Sequence, residues 1–151
     1  NPKGRDLVKQ YLMTLLFGSL KKQIVNDFSK LPIREQIQQS KNRVRSQFSF
    51  PFRSDKMYNE LNEIIQICIL NEIELIGIKF PLTKSFINEI EGKSYKADSA
   101  FYDNSLKVFD FKNLFMEYDN LFSDEDHLND IGAKKFVNIL ADKVKNARNH
   151  K

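Results

Sequence analysis

Asp124 and His127 stand three residues apart in the polar run Phe122-Ser123-Asp124-Glu125-Asp126-His127-Leu128-Asn129-Asp130. An imidazole that is to accept a proton needs a carboxylate partner. The partner fixes its tautomer and stabilises the imidazolium that forms. An Asp three residues earlier in a tight loop can reach the ring, so Asp124 and His127 are the candidate catalytic pair. The expected geometry is an Asp124 oxygen within roughly 2.6–3.2 Å of the ring. Nε2 should face an open cleft, and Glu125 and Asp126 should point to solvent. Two other readings use the same residues. In one, His127 is a surface histidine in a capping loop, and Asn129 or Asp130 caps the next helix. In the other, Asp124, Asp126, His127 and Asp130 hold a divalent ion, since carboxylate and imidazole suit several such ions. The spacing lacks the Gly and terminal Glu of an EF-hand loop, and the other histidine, His150, lies in the tail. Neither a metal nor a cofactor is therefore assigned.

Two short β-branched or aromatic runs lead toward this loop. Residues 73–80 end at Pro81, residues 105–111 precede the loop, and both read as strands. They are expected to lie parallel in one sheet, because helical patterns alternate with them. A helix is expected from Leu7 to about Phe28, where apolar residues recur at three- and four-residue steps. Leu31-Pro32 stops it. Residues 33–47 are polar, either an exposed helix or a connection. Phe48-Ser49-Phe50-Pro51-Phe52 reads as extended. Ser54 and Asp55 cap a helix carrying Met57, Tyr58, Leu61, Ile64, Ile65 and Cys68 on its apolar side. Cys68 reads as a buried, inert thiol. A short helix is expected within residues 82–90, a connection over 93–104, and a turn at Asp119-Asn120. The last helix, 130–147, places Ala133, Phe136, Val137, Leu140 and Val144 on one face. Together these elements give an α/β fold. The expected organisation is a basic helical segment over residues 1–53 and an α/β part over 54–151.

Asp124-x-x-His127-Leu128-Asn129-x-x-Gly132-Ala133, followed by an amphipathic helix, resembles the last motif block of the SGNH (GDSL-type) hydrolases. The resemblance covers about residues 60–147. It implies a three-layer fold, a parallel sheet flanked by helices as in flavodoxin-like proteins, incomplete in this chain. It also implies ester chemistry, with His127 as general base and Asp124 as its orienting acid. The family's Gly-Asp-Ser nucleophile motif and its Gly-x-Asn-Asp block have no match here. Gly18-Ser19 is the nearest echo of the former, but it lacks the Asp and falls in a helical pattern rather than on a strand-to-helix turn. The reading is an SGNH-like ester hydrolase or O-acyltransferase, with this part supplying the Asp-His pair. Its substrate would be an ester-bearing small molecule or carbohydrate. By family analogy it would act outside the cytoplasm or at the cell envelope, and the Lys/Asn/Ile-rich composition points to an AT-rich bacterial genome. The alternative is a non-catalytic α/β module that binds partners through its basic, Phe-containing N-terminal half.

Composition bounds these readings. The chain has 151 residues, 41% hydrophobic and 29% charged, which excludes a disordered or collagenous chain. One cysteine excludes an internal disulfide. No apolar run is long enough to cross a membrane. The net charge of +4 is uneven: residues 1–60 carry 12 Lys/Arg against 5 Asp/Glu, and residues 61–151 carry 12 against 15. The basic residues are dispersed and accompany no nucleic-acid motif, so no nucleic-acid partner is expected.

Overall fold

The structure, a computed structural model, describes residues 28–50 and 52–149. The helix expected over residues 7–28, Ser19 and His150 therefore lie outside the described residues, apart from Phe28 itself. Phe28–Lys30 forms a short 3-10 turn with Phe28 buried.

Helix α1, Ile33–Gln47, follows Pro32, whose fixed φ suits a helix start. The stretch left open by the sequence is thus helical. Its buried stripe is Gln36, Ser40 and Val44 at four-residue steps, two polar residues and one apolar. The polar pair is satisfied from outside the helix. Gln36 Nε2 donates to the carbonyls of Phe28 and Leu31, both at 3.1 Å, and Ser40 Oγ lies 2.9 Å from Ser85 Oγ. Buried polar groups bonded in this way cost little.

Helix α2, Asp55–Leu70, is capped by Ser54, whose side chain accepts from Met57 N. Ile65 is buried, while Tyr58, Leu61 and Cys68 are half-buried. The expected apolar face is thus only partly covered. Met57 and Ile64 are exposed, while α2 packs on the segment Ser99–Asp103. Cys68 is correspondingly half-buried rather than enclosed.

Strand β1, Ile76–Lys79, and strand β2, Lys107–Asp110, pair in parallel, Ile76 with Lys107 through Lys79 with Asp110. Both lie within the expected runs and are shorter. Between them run α3, Lys84–Glu89, capped by Thr83, and α4, Ser99–Asp103. The second places a short helix within the connection expected over 93–104. Ala100 is fully buried, α4 packs on β2, and Phe101 stands 3.3 Å from where a Cβ on Gly77 would be. A glycine at 77 leaves room on β1 for that ring. Helix α3 packs along α1.

The last helix, α5, is Asp130–Asn149. Its inward stripe is Gly132, Phe136, Leu140 and Val144, the first two buried and the others half-buried. Ala133 and Val137 face solvent, a correction to the expected face by one position around the helix. Phe28, Phe115, Leu121, Phe122 and Phe136 form the core, with Ile78, Phe111, Leu128 and Leu140 against it. Phe136 meets Phe80 and Phe111 with ring centroids 5.3 and 5.2 Å apart, tilted and edge-on, geometries that aromatic pairs favour. The architecture is mixed α/β around a two-stranded parallel sheet. Among the described residues no helix is long and apolar enough to cross a membrane.

Candidate active site

The loop carrying Asp124 and His127 leaves the core at Phe122 and returns to it at Leu128. Those two residues form an antiparallel bridge. Ser123 closes it further, its backbone N–H and its hydroxyl both donating to the His127 carbonyl at 2.9 and 3.2 Å. Within the loop, Asp124 Oδ1 accepts from the backbone N–H of Asp126 at 3.1 Å and of His127 at 2.8 Å. This is the Asp-specific turn in which a side chain substitutes for a backbone acceptor. It also brings the carboxylate beside the ring. His127 Nδ1 lies 2.9 Å from Asp124 Oδ1 and 3.0 Å from Oδ2.

The next residues lock the loop to α5. Asn129 Oδ1 accepts from the N–H groups of Ile131 and Gly132, the cap of the helix. Its Nδ2 donates to the Asn120 carbonyl at 2.8 Å. Gly132 is required by packing: a Cβ there would collide with the Leu121 carbonyl, 3.1 Å from its carbon and far closer to its oxygen. Each fixed position of Asp-x-x-His-Leu-Asn-x-x-Gly thus has a structural place: Asp124 makes the turn and the ring contact to His127, Leu128 the bridge, Asn129 the cap and Gly132 the close approach.

Asp126 does not point to solvent as expected. Its side chain is 10% exposed, held by Arg43 Nε at 3.0 Å and Gln47 Nε2 at 2.6 Å, both on Oδ2. The bond to Asp126 raises the Arg43 guanidinium above its ordinary pKa. The other oxygen, Oδ1, is buried without a hydrogen bond and stands 3.1 Å from His127 Nδ1. Two carboxylates therefore converge on one ring nitrogen. Glu125 is also partly withdrawn from water, and burial pushes its carboxyl pKa up. Its carbonyl accepts from Thr83 Oγ1 at 2.8 Å and from Thr83 N at 3.3 Å, which pins the loop to the start of α3. Arg43, Gln47 and Thr83 were missed by sequence reasoning. They lie some 80 or 40 residues from the loop, and only the side chains' long-range pairing reveals them.

Three carboxylate oxygens around Nδ1 demand a hydrogen on that nitrogen, since a lone pair there would face negative charge. In the neutral ring Nε2 then carries the lone pair. The His127 side chain is 60% exposed, and no described group hydrogen-bonds Nε2. The arrangement can accept a proton at Nε2 from an incoming hydroxyl or water. It can then hold the imidazolium between two carboxylates. Among the described residues no serine, threonine or cysteine bonds Nε2, so the structure does not bring a nucleophile to the ring. Asp124, Asp126 and His127 also place one donor atom each within 4.8 Å of one another, a spacing compatible with a cation. Asp130 is outside that group.

No protein-family model matches the chain, and neither the curated proteins nor the solved structures include one that matches it.

Proposed function

We propose that Asp124 and His127 are the orienting acid and general base of an SGNH-like ester hydrolase or O-acyltransferase. The supporting observation is the Asp124 carboxylate on His127 Nδ1 at 2.9 and 3.0 Å, with Nε2 on an exposed ring. In this reading β1 and β2 are part of the parallel sheet of a three-layer fold. The exposed Ile64, Ile67 and Leu70 of α2 supply apolar surface for such a layer. The chemistry is acyl transfer. A serine hydroxyl gives its proton to Nε2 as its oxygen attacks the ester carbonyl. The proton then passes to the leaving alcohol, and water or a sugar hydroxyl releases the acyl group by the same base.

Covalent labelling tests this. The 151-residue chain should turn over p-nitrophenyl acetate slowly and take no stoichiometric label from a serine-directed phosphonate, because the base alone gives at most about 10²–10⁴-fold over water. Supplied upstream with a Gly-Asp-Ser segment in its family context, the protein should be labelled, and His127→Ala should abolish turnover. Stoichiometric labelling of the 151-residue chain at Ser19 would contradict this assignment of the nucleophile. Turnover indifferent to His127→Ala would contradict the base.

A further inference from the structure

Among the described residues, Asp126 Oδ1 is the single buried side-chain oxygen left without a hydrogen bond. A buried orphan of this kind calls for a ligand, because its desolvation is otherwise uncompensated. The Asp126 side chain is only 10% exposed, and Oδ1 is aimed at the His127 ring, 3.1 Å from Nδ1. Asp124 Oδ2 stands 3.0 Å from the same nitrogen. A single hydrogen on Nδ1 cannot satisfy both carboxylates. Each carboxylate is moreover held by one oxygen and presents the other. Asp124 Oδ1 accepts from the N–H groups of Asp126 and His127, which leaves Oδ2 forward. Asp126 Oδ2 accepts from Arg43 and Gln47, which leaves Oδ1 forward.

Two ligands at right angles about a cation, each about 2.1 Å from it, are about 3 Å apart. The separations from Nδ1 to the two forward oxygens, 3.0 and 3.1 Å, have that length. We infer that these three residues bind a first-row divalent transition cation of the zinc class through Asp124 Oδ2, Asp126 Oδ1 and His127 Nδ1. The imidazole selects against magnesium and calcium, which take oxygen ligands. Asp124 and His127, 44% and 60% exposed, leave a side open for entry and for water to complete the coordination. Arg43 and Gln47 fix a ligand without touching the metal, and ligating carboxylates are commonly hydrogen-bonded in this way. The cation and the Nδ1 hydrogen compete for one position. When the cation takes the Nδ1 lone pair, that hydrogen passes to water and water returns one to Nε2, so the neutral ring exchanges no net proton. Nε2 then has no free lone pair, and the cation switches the base off. Binding stands on the geometry alone; the switch rests on the reading of His127 as general base.

The test is calorimetric titration of the full chain with zinc chloride, after chelator has stripped it and been dialysed away. One equivalent should bind saturably. His127→Ala and Asp126→Asn should each weaken it roughly tenfold or more. Because Asp126 is packed, Asp124→Asn repeats the test at an exposed ligand. Cys68→Ser and His150→Ala remove the chain's thiol and its other imidazole and should leave the affinity unchanged. Magnesium chloride should not compete. On ¹H–¹⁵N correlation of the imidazole, saturating zinc should move the His127 hydrogen from Nδ1 to Nε2. The slow turnover of p-nitrophenyl acetate should be suppressed by zinc and restored by EDTA. Affinity undiminished in His127→Ala, equal competition by magnesium, or a hydrogen that stays on Nδ1 at saturating zinc would overturn the site. Turnover unmoved or raised by zinc would overturn the switch. A metal-free ring that keeps its hydrogen on Nδ1 yet binds no zinc refutes the cation site alone. Zinc binding that is lost in His127→Ala, beside turnover indifferent to that substitution, refutes the base alone.

Discussion

A neutral imidazole carries one hydrogen, on either ring nitrogen, and the carboxylate oxygens of Asp124 at 2.9 Å and Asp126 at 3.1 Å favour it on Nδ1 of His127. Once Nε2 takes a proton, the ring is a cation and both carboxylates stabilise it. Asp124→Asn keeps the size but removes the charge, and its amide can face Nδ1 with the N–H end. Where turnover is measurable, it should fall by a factor of the order of 10²–10⁴. Asp126 acts at one remove, and its partners hold it. Gln47→Leu deletes the 2.6 Å bond and should leave the fold intact while weakening turnover less than Asp124→Asn does. Gly132→Ala belongs to packing. The new methyl meets the Leu121 backbone, which cannot rotate away, so unfolding free energy should drop by about 1–3 kcal/mol in denaturant titration. Asp124 and His127 were legible because their contact is local and three residues long. Arg43 and Gln47 were not, since neither their own neighbours nor any spacing marks them as facing a loop some 80 residues away. For the same reason Asp126, surrounded by acids in sequence, read as solvent-facing.

The elements hold the loop from two sides. Thr83 is fully buried, caps α3, and gives its hydroxyl hydrogen to the Glu125 carbonyl. Thr83→Val keeps the shape, loses both roles, and should cost about 1–2 kcal/mol. It should also speed amide exchange in the 123–127 loop. At the ends of the strands, Lys79 pairs closely with Asp98 and reaches Asp110 at 3.5 Å. The hydrogen bond from Lys79 lowers the Asp98 pKa and raises that of Lys79. A lowered carboxyl contributes stability above its unfolded pKa of 3.8, lost as pH falls through the folded value. Asp119 and Glu125 work the other way: burial raises both, so their contribution is present at low pH and lost as pH rises through the folded values. Thermal midpoints taken across acid pH should therefore fall less steeply below pH 4 in Asp98→Asn than in the parent, and Glu125→Gln should gain most above the Glu125 folded pKa. Helices α2 and α5 and both strands were legible because their apolar residues recur at the helical or strand period, even where the fold leaves Met57, Ile64 and Val137 exposed. Helix α1 was ambiguous because its inward stripe is Gln36, Ser40 and Val44, which polarity alone places outside. Helix α4 is five residues long and buries chiefly Ala100, too little apolar signal for any periodicity to show.

Across the molecule, the core around a two-stranded sheet carries the Asp124–His127 loop, and an apolar cleft opens between Phe50, Phe52, Met57 and Tyr95. The aromatic core reaches the loop directly, with Phe122 fully buried immediately before Ser123 and Leu128 against the same cluster immediately after His127. The site is thus positioned by packing and not by the sheet alone. That is what lets an exposed histidine keep one orientation. The cleft was not legible in sequence: Phe50 and Phe52 read as an extended aromatic stretch, and only the fold sets Met57 and Tyr95 opposite them. The central claim is that His127 is a base whose free nitrogen is Nε2. Long-range ¹H–¹⁵N correlation on the imidazole nitrogens tests it most directly, since the chain has only two histidines to assign. On the neutral ring, the account predicts a hydrogen on Nδ1 and none on Nε2, with that preference lost in Asp124→Asn. A ring carrying its hydrogen on Nε2, or a tautomer indifferent to Asp124→Asn, would contradict it.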